Sequence, residues 1–110
     1  MQKRLDFEGS SEADLRGFPK LARRQAGHDL WLIQQGRLPD DWKPMPTIGV
    51  GVSEIRIHEE GAFRVVYVAK FEEAIYVLHC FQKKSQRTSR ADLALASARL
   101  KAILARRRKR

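Results

Sequence analysis

Three apolar segments joined by very short links dominate the second half of the chain. Val52–His58 alternates, with Ser53, Ile55 and Ile57 on one side and Glu54, Arg56 and His58 on the other. That is the two-residue period of a strand. Glu59-Glu60-Gly61 leads into Phe63–Lys70, and Phe71-Glu72-Glu73 leads into Ala74–Gln82. Both later segments are nearly continuous in apolar residues, as suits strands covered on both faces. A parallel crossover needs about a dozen residues or more, so links this short impose antiparallel pairing. Such a sheet must be covered by helices.

The remaining sequence supplies them. Leu5 and Phe7 share one side of a short opening strand. Ser11-Glu12-Ala13-Asp14 pairs a hydroxyl with an acid three residues on, which predicts a helix start capped by Ser11 and ending near Gly17. Pro19 suits the first turn of a second helix. Ala22, Ala26, Leu30 and Ile33 then recur on one helical face, and Gly36 is a natural stop. Between Leu38 and Gly51, Pro39, Pro44, Pro46, Gly49 and Gly51 predict a connection mostly without regular structure. Ser89-Arg90-Ala91-Asp92 opens a last amphipathic helix carrying Leu93, Ala96, Leu100 and Ile103. The expected architecture is a small α+β domain in the order β-α-α-β-β-β-α. With 110 residues there is room for a single such domain. It is placed at 1–105, with 106–110 as a basic C-terminal tail.

Composition narrows the function. The formal net charge is +9, and the last five residues, Arg106 to Arg110, carry more than half of the excess. They are expected to form a frayed charged end. The body is still basic, which points to a polyanionic partner. The longest apolar runs, Val65–Ala69 and Ala74–Leu78, are far short of the ~20 residues of a membrane span. No apolar stretch follows Met1-Gln2-Lys3-Arg4, so a signal peptide is not expected, nor is a membrane partner. Cys80 is alone, which favours a reducing, cytoplasmic setting. His28, His58 and His79 are scattered and show no zinc-ligand spacing, so neither a metal nor a cofactor is expected.

Several cations fall at strand positions where their chemistry can converge. Arg56 and His58 are two residues apart on one strand face. Arg64 interrupts a run of apolar residues, where a guanidinium must be paired or reach a cleft. Phe81-Gln82-Lys83-Lys84 closes the third strand with a ring able to stack a base and cations able to hold phosphate. Lys43 and Lys70 are further candidates for RNA contact. Each has a plainer reading. Arg56 can pair across strands with Glu54 or Glu59, Arg64 can be an edge cation, and His58 a solvated turn residue. His79 and Cys80 read as packed core.

Three stretches resemble the RelE/HigB superfamily of bacterial toxins, and within it the phage-derived HigB-like branch. They are Asp41-Trp42-Lys43-Pro44-Met45 with Ile48-Gly49, the hairpin Glu54-Ile55-Arg56-Ile57 through Gly61-Ala62-Phe63-Arg64-Val65-Val66-Tyr67, and Tyr76 through Gln86 into Thr88-Ser89. The likeness covers roughly residues 3–105 and leaves out the basic tail. It implies a twisted antiparallel sheet with the N-terminal helices on one face. It also implies a ribosome-dependent, metal-independent mRNA endoribonuclease (mRNA interferase) that inhibits translation. The implied partner is a helix-turn-helix antitoxin, through which alone the toxin would meet operator DNA. In this resemblance Arg64 matches the family's cleft arginine, Arg56 the basic residue of the preceding strand, and Lys83 and Lys84 the basic pair, with Phe81 beside them. The catalytic tyrosine or histidine that some members carry near the C-terminus has no match beyond His79, and His58 is the better base by intrinsic pKa. Two other readings are a ParE-like inhibitor of gyrase and a non-catalytic RNA- or protein-binding module of phage origin. The basic cluster disfavours the first, and the missing base keeps the second open.

Overall fold

The computed structural model describes residues 2–109. The element order is β1 (Arg4–Phe7), α1 (Ser11–Arg16), α2 (Lys20–Gln34), β2 (Trp42–Pro44), β3 (Val52–Ile57), β4 (Phe63–Val68), β5 (Ala74–Gln82) and α3 (Arg90–Arg108). The strands form one sheet in the order β1-β5-β4-β3-β2. β3, β4 and β5 are the expected antiparallel meander. The sheet as a whole is mixed, because β1 pairs with β5 in parallel, Arg4 opposite Ala74 through Phe7 opposite Val77. The short-link argument governs only consecutive strands. β1 is separated from β5 by most of the chain, so nothing in the sequence dictates its direction.

A second difference lies in the proline-rich connection. Trp42, Lys43 and Pro44 form β2, paired antiparallel with Ile55, Glu54 and Ser53. The strand has three residues and sits at the sheet edge, where a proline costs no essential ladder bond. A strand this short carries too little alternation to be read from sequence.

Layering follows from which faces are apolar. Ala22, Ala26, Leu30 and Ile33 of α2 pack with Ile55, Ile57, Val65, Ile75 and Val77. Ala96, Leu100 and Ile103 of α3 pack on the opposite face, with Val52, Val66, Val68, Tyr76 and Leu78. All six residues of β4 are buried as a result. A register shift between Val66 and Tyr67 lets β5 change phase, so that Leu78 and His79 both serve the α3 side of the sheet.

The helix ends differ from the expected caps in one case. Ser10, not Ser11, is the N-cap residue of α1; Ser11 lies in the first turn, buried, and donates its hydroxyl to the Val77 carbonyl at 3.2 Å. Pro19 precedes α2, and Glu60 from the β3–β4 turn accepts the Leu21 N–H at 3.1 Å. A carboxylate there complements the positive end of the helix. Ser89 caps α3 as expected, accepting the Asp92 N–H at 3.1 Å. Gly36 follows α2 at φ 78°, a left-handed conformation suited to glycine.

The basic C-terminal run is not frayed over the described residues. α3 continues through Arg108, and Arg110 lies outside the described residues. Arg106 donates to Glu8 at 3.0 Å, and Arg107 donates to Glu73 at 2.7 Å while lying 4.0 Å from the Phe71 ring centroid. Cations at a helix C-terminus also complement its dipole. Arg107 is the main reason that the Glu73 carboxyl is held down at about 2, from an ordinary 4.5. This pairing therefore stabilises the fold above the ordinary value and is lost as pH falls toward 2. Arg107→Ala is expected to lower the thermal midpoint at pH 6. The gap from the parent should close as melts are repeated at pH values descending from 4.5 to 2.

Candidate functional site

Register decides which side chains meet. Residues directly opposite one another on neighbouring strands share a face. Arg56 lies opposite Arg64, and Arg64 opposite Phe81. The adjoining row runs Lys43, Glu54, Val66, His79. Both rows belong to the face covered by α3, whose first turn reaches the sheet at His79 through Asp92. The Arg56–Arg64–Phe81 row lies on the far side of the His79 row from the α3 core residues Ala96, Leu100 and Ile103.

The centre of this region is a buried ion pair. Arg64 is 4% exposed and Glu54 1%. Arg64 Nε lies 3.4 Å from Glu54 Oε1, and Lys43 Nζ lies 3.5 Å from Glu54 Oε2. Of the two carboxylates offered as partners of Arg56, Glu54 serves Arg64 and Lys43 instead. Arg64 also donates to the Phe63 carbonyl at 2.9 Å. Burial pulls the Arg64 guanidinium pKa down, Glu54 opposes that, and Arg56 adds to it. Among the described residues, the buried Nε atoms of Arg56 and Arg64 and both Glu54 carboxylate oxygens have no hydrogen-bond partner. The charges are close enough to attract but are not fully bonded.

Lys83 and Lys84 extend the cluster past β5. The Lys83 N–H donates to the Ala62 carbonyl at 2.8 Å, continuing the ladder by one bond. A shallow depression of about 340 Å³ is lined by Ala62, Arg64, Lys83, Lys84, Ser85 and Gln86. Partial burial and then Arg64 lower the Lys83 pKa from its ordinary value. Phe81 is half-buried beside this depression, opposite Arg64.

The other two candidates are placed differently. His58 is exposed, and its Nε2 bonds Asp41 Oδ2 at 2.8 Å. Asp41 also accepts the Arg56 N–H through its carbonyl, at 2.8 Å, so His58 is fixed at the outer end of β3. Lys70 lies apart from the cluster. It follows the opposite end of β4 from Arg64, roughly 20 Å away at the rise of an extended chain. Its ammonium sits 5.2 Å from the Phe71 ring centroid.

Sequence reasoning missed the partner of His79. The ring is buried, as expected of core, but its Nε2 meets Asp92 Oδ1 at 2.7 Å. It also stacks on Phe81, with ring centroids 4.9 Å apart. Asp92 takes the Ser89 hydroxyl as well, at 2.7 Å. His79 thereby locks the α3 start and the stacking ring together. The Ser-x-x-Asp cap signal identified Asp92 as a capping acid, and nothing in the linear order links it to a strand residue 13 positions earlier.

The arrangement is a shallow basic recess on an α+β sheet, with Phe81 opposite Arg64 in register. The same fold is found in the E. coli toxin RelE, solved as a double mutant in the free state. That structure is similar with a TM-score of 0.64 and 17% sequence identity, covering 94% of this chain and 99% of that one. The model of the family described as "Phage derived protein Gp49-like (DUF891)" matches residues 13–101, and the chain belongs to that family. No curated protein matches it significantly. No described helix is long and apolar enough to cross a membrane.

Proposed function

We propose that the chain is the toxin of a type II toxin–antitoxin system, of the HigB-like branch, and that it cleaves mRNA on the ribosome. The observation that carries this reading is the basic cluster: Arg64, Lys83 and Lys84 line one depression, and Arg56 stands opposite Arg64 in register. Glu54 is a single carboxylate among Arg56, Arg64, Lys43 and Lys83, so the cluster keeps an excess of positive charge that suits a further anion.

The substrate's own 2′-hydroxyl attacks the adjacent phosphate. The 2′-oxygen–phosphorus bond forms and the bond to the 5′-oxygen breaks, leaving a 2′,3′-cyclic phosphate and a 5′-hydroxyl. Arg56 and Arg64 stabilise the charge that grows on the phosphorane. Lys83, whose pKa is lowered, takes the 2′-hydroxyl proton, and Lys84 returns one to the leaving oxygen. Phe81 stacks a base and Lys43 holds flanking phosphate. His58 is the alternative base. The ribosome supplies the positioning of the scissile bond. A helix-turn-helix antitoxin neutralises the toxin and connects it to operator DNA, and the setting is the cytoplasm.

Induced expression of the chain alone is expected to arrest growth, with translation falling first. Co-expression of the adjacent small gene is expected to restore growth. Continued growth under strong induction, with the folded protein demonstrably present, would overturn the reading. A gyrase inhibitor would instead block DNA replication and leave mRNA intact.

A further inference from the structure

On the other face of the molecule, α2 and the connection that follows it bring together three groups that share no sequence motif. After Gly36 the chain returns alongside the helix and sets Asp40 beside Asp29. One donor atom each of His28, Asp29 and Asp40 lies within 4.8 Å of the other two. Gln25 Nε2 donates to Asp29 Oδ1 at 3.1 Å and to Asp40 Oδ2 at 2.9 Å, so one amide orients both carboxylates. The Asp40 N–H adds a bond to Asp29 Oδ1 at 3.3 Å. Asp29 is 1% exposed, and its Oδ2 has no hydrogen-bond partner among the described residues.

A buried carboxylate oxygen without a donor is costly, and a second carboxylate beside it raises the cost. Gln25 is neutral and cannot offset two negative charges. We propose that His28, Asp29 and Asp40 bind a divalent transition-metal ion, with water completing its coordination. One imidazole and two carboxylates suit zinc, cobalt or nickel better than calcium or magnesium, which prefer oxygen alone. His28 and Asp40 are exposed, so their side chains can close on the ion without disturbing the core. Gln25 is the outer partner that fixes both acids, as metal sites commonly require.

The site's role is structural. Asp40 precedes Asp41, which accepts the Arg56 N–H and holds His58. A metal at Asp40 therefore anchors the segment that leads into β2. The ion takes no part in the proposed cleavage, and its binding does not depend on that reading.

The test uses the full chain, stripped with chelator and titrated calorimetrically with zinc alone. Binding of one equivalent is expected, accompanied by a rise in thermal midpoint. Cobalt should quench Trp31, whose ring stacks 6.3 Å from that of His28. His28→Ala and Asp40→Asn, both at exposed positions, are each expected to weaken zinc binding by roughly tenfold or more. His58→Ala, which removes the nearest competing surface histidine–aspartate pair, is expected to leave it unchanged. No saturable binding up to about 1 mM, binding that survives either of the first two substitutions, or binding lost with His58, would overturn the proposal.

Discussion

Arg64→Ala is expected to abolish growth arrest and to destabilise the fold together, by about 3–5 kcal/mol. Two effects coincide because Arg64 has two roles. It is the buried counter-ion of Glu54, and it faces the recess lined by Lys83 and Lys84. Removing it leaves Glu54, 1% exposed, with only Lys43 at 3.5 Å. The loss of toxicity would then be ambiguous, so Arg64→Lys is the decisive companion. A lysine restores the charge opposite Glu54 but not the planar fork that grips phosphate. Urea denaturation should show most of the stability regained, while induced cells keep growing. Full toxicity in Arg64→Lys would mean that only charge is needed there, and full toxicity in Arg64→Ala would remove the residue from the site.

Arg56→Ala is expected to separate activity from stability in the opposite sense. Arg56 is half-buried, faces Arg64 directly and has no carboxylate within ion-pair distance among the described residues. Its removal relieves a like-charge contact that depresses the Arg64 pKa. Stability should stay level or rise by up to ~1 kcal/mol. The cleavage rate should fall about 10²–10³-fold, the usual loss when one group stabilising transition-state charge is deleted. An active Arg56→Ala would place the phosphate elsewhere. A variant that unfolds would make Arg56 a structural cation.

The meander and both long helices were legible because each rests on a local rule: alternation, short links, or a repeat of apolar residues on one face. Ala22, Ala26, Leu30 and Ile33 are all buried, as their spacing requires. β2 and the parallel pairing of β1 were not legible, since three edge residues carry no period and partner choice between distant strands is not local. The placing of the Arg106–Arg107 pair was not legible for a related reason. Its charges suggest solvent, but Glu8 and Glu73, far away in sequence, receive them. Within the site, strand parity puts Arg56 and Arg64 on faces that can be anticipated, whereas Phe81 joins them only because the irregularity at Val66/Tyr67 shifts the phase of β5. The counter-ion could not be anticipated, because cross-strand register decides that Glu54 meets Arg64 and Lys43 instead of Arg56. His79–Asp92 and the His28–Asp29–Asp40 group are likewise products of tertiary placement. A scan for histidine and cysteine spacing passes over aspartates brought in by a returning loop.

The central claim is that the basic recess cleaves RNA held on a ribosome. The direct measurement is to incubate the purified chain with ribosomes carrying an end-labelled mRNA and a vacant A site, and to resolve the products by length and end chemistry. A cut within the A-site codon is predicted, leaving a 2′,3′-cyclic phosphate upstream and a 5′-hydroxyl downstream, with Arg56→Ala slowed as above. Intact mRNA after prolonged incubation with folded, growth-arresting protein would contradict the account.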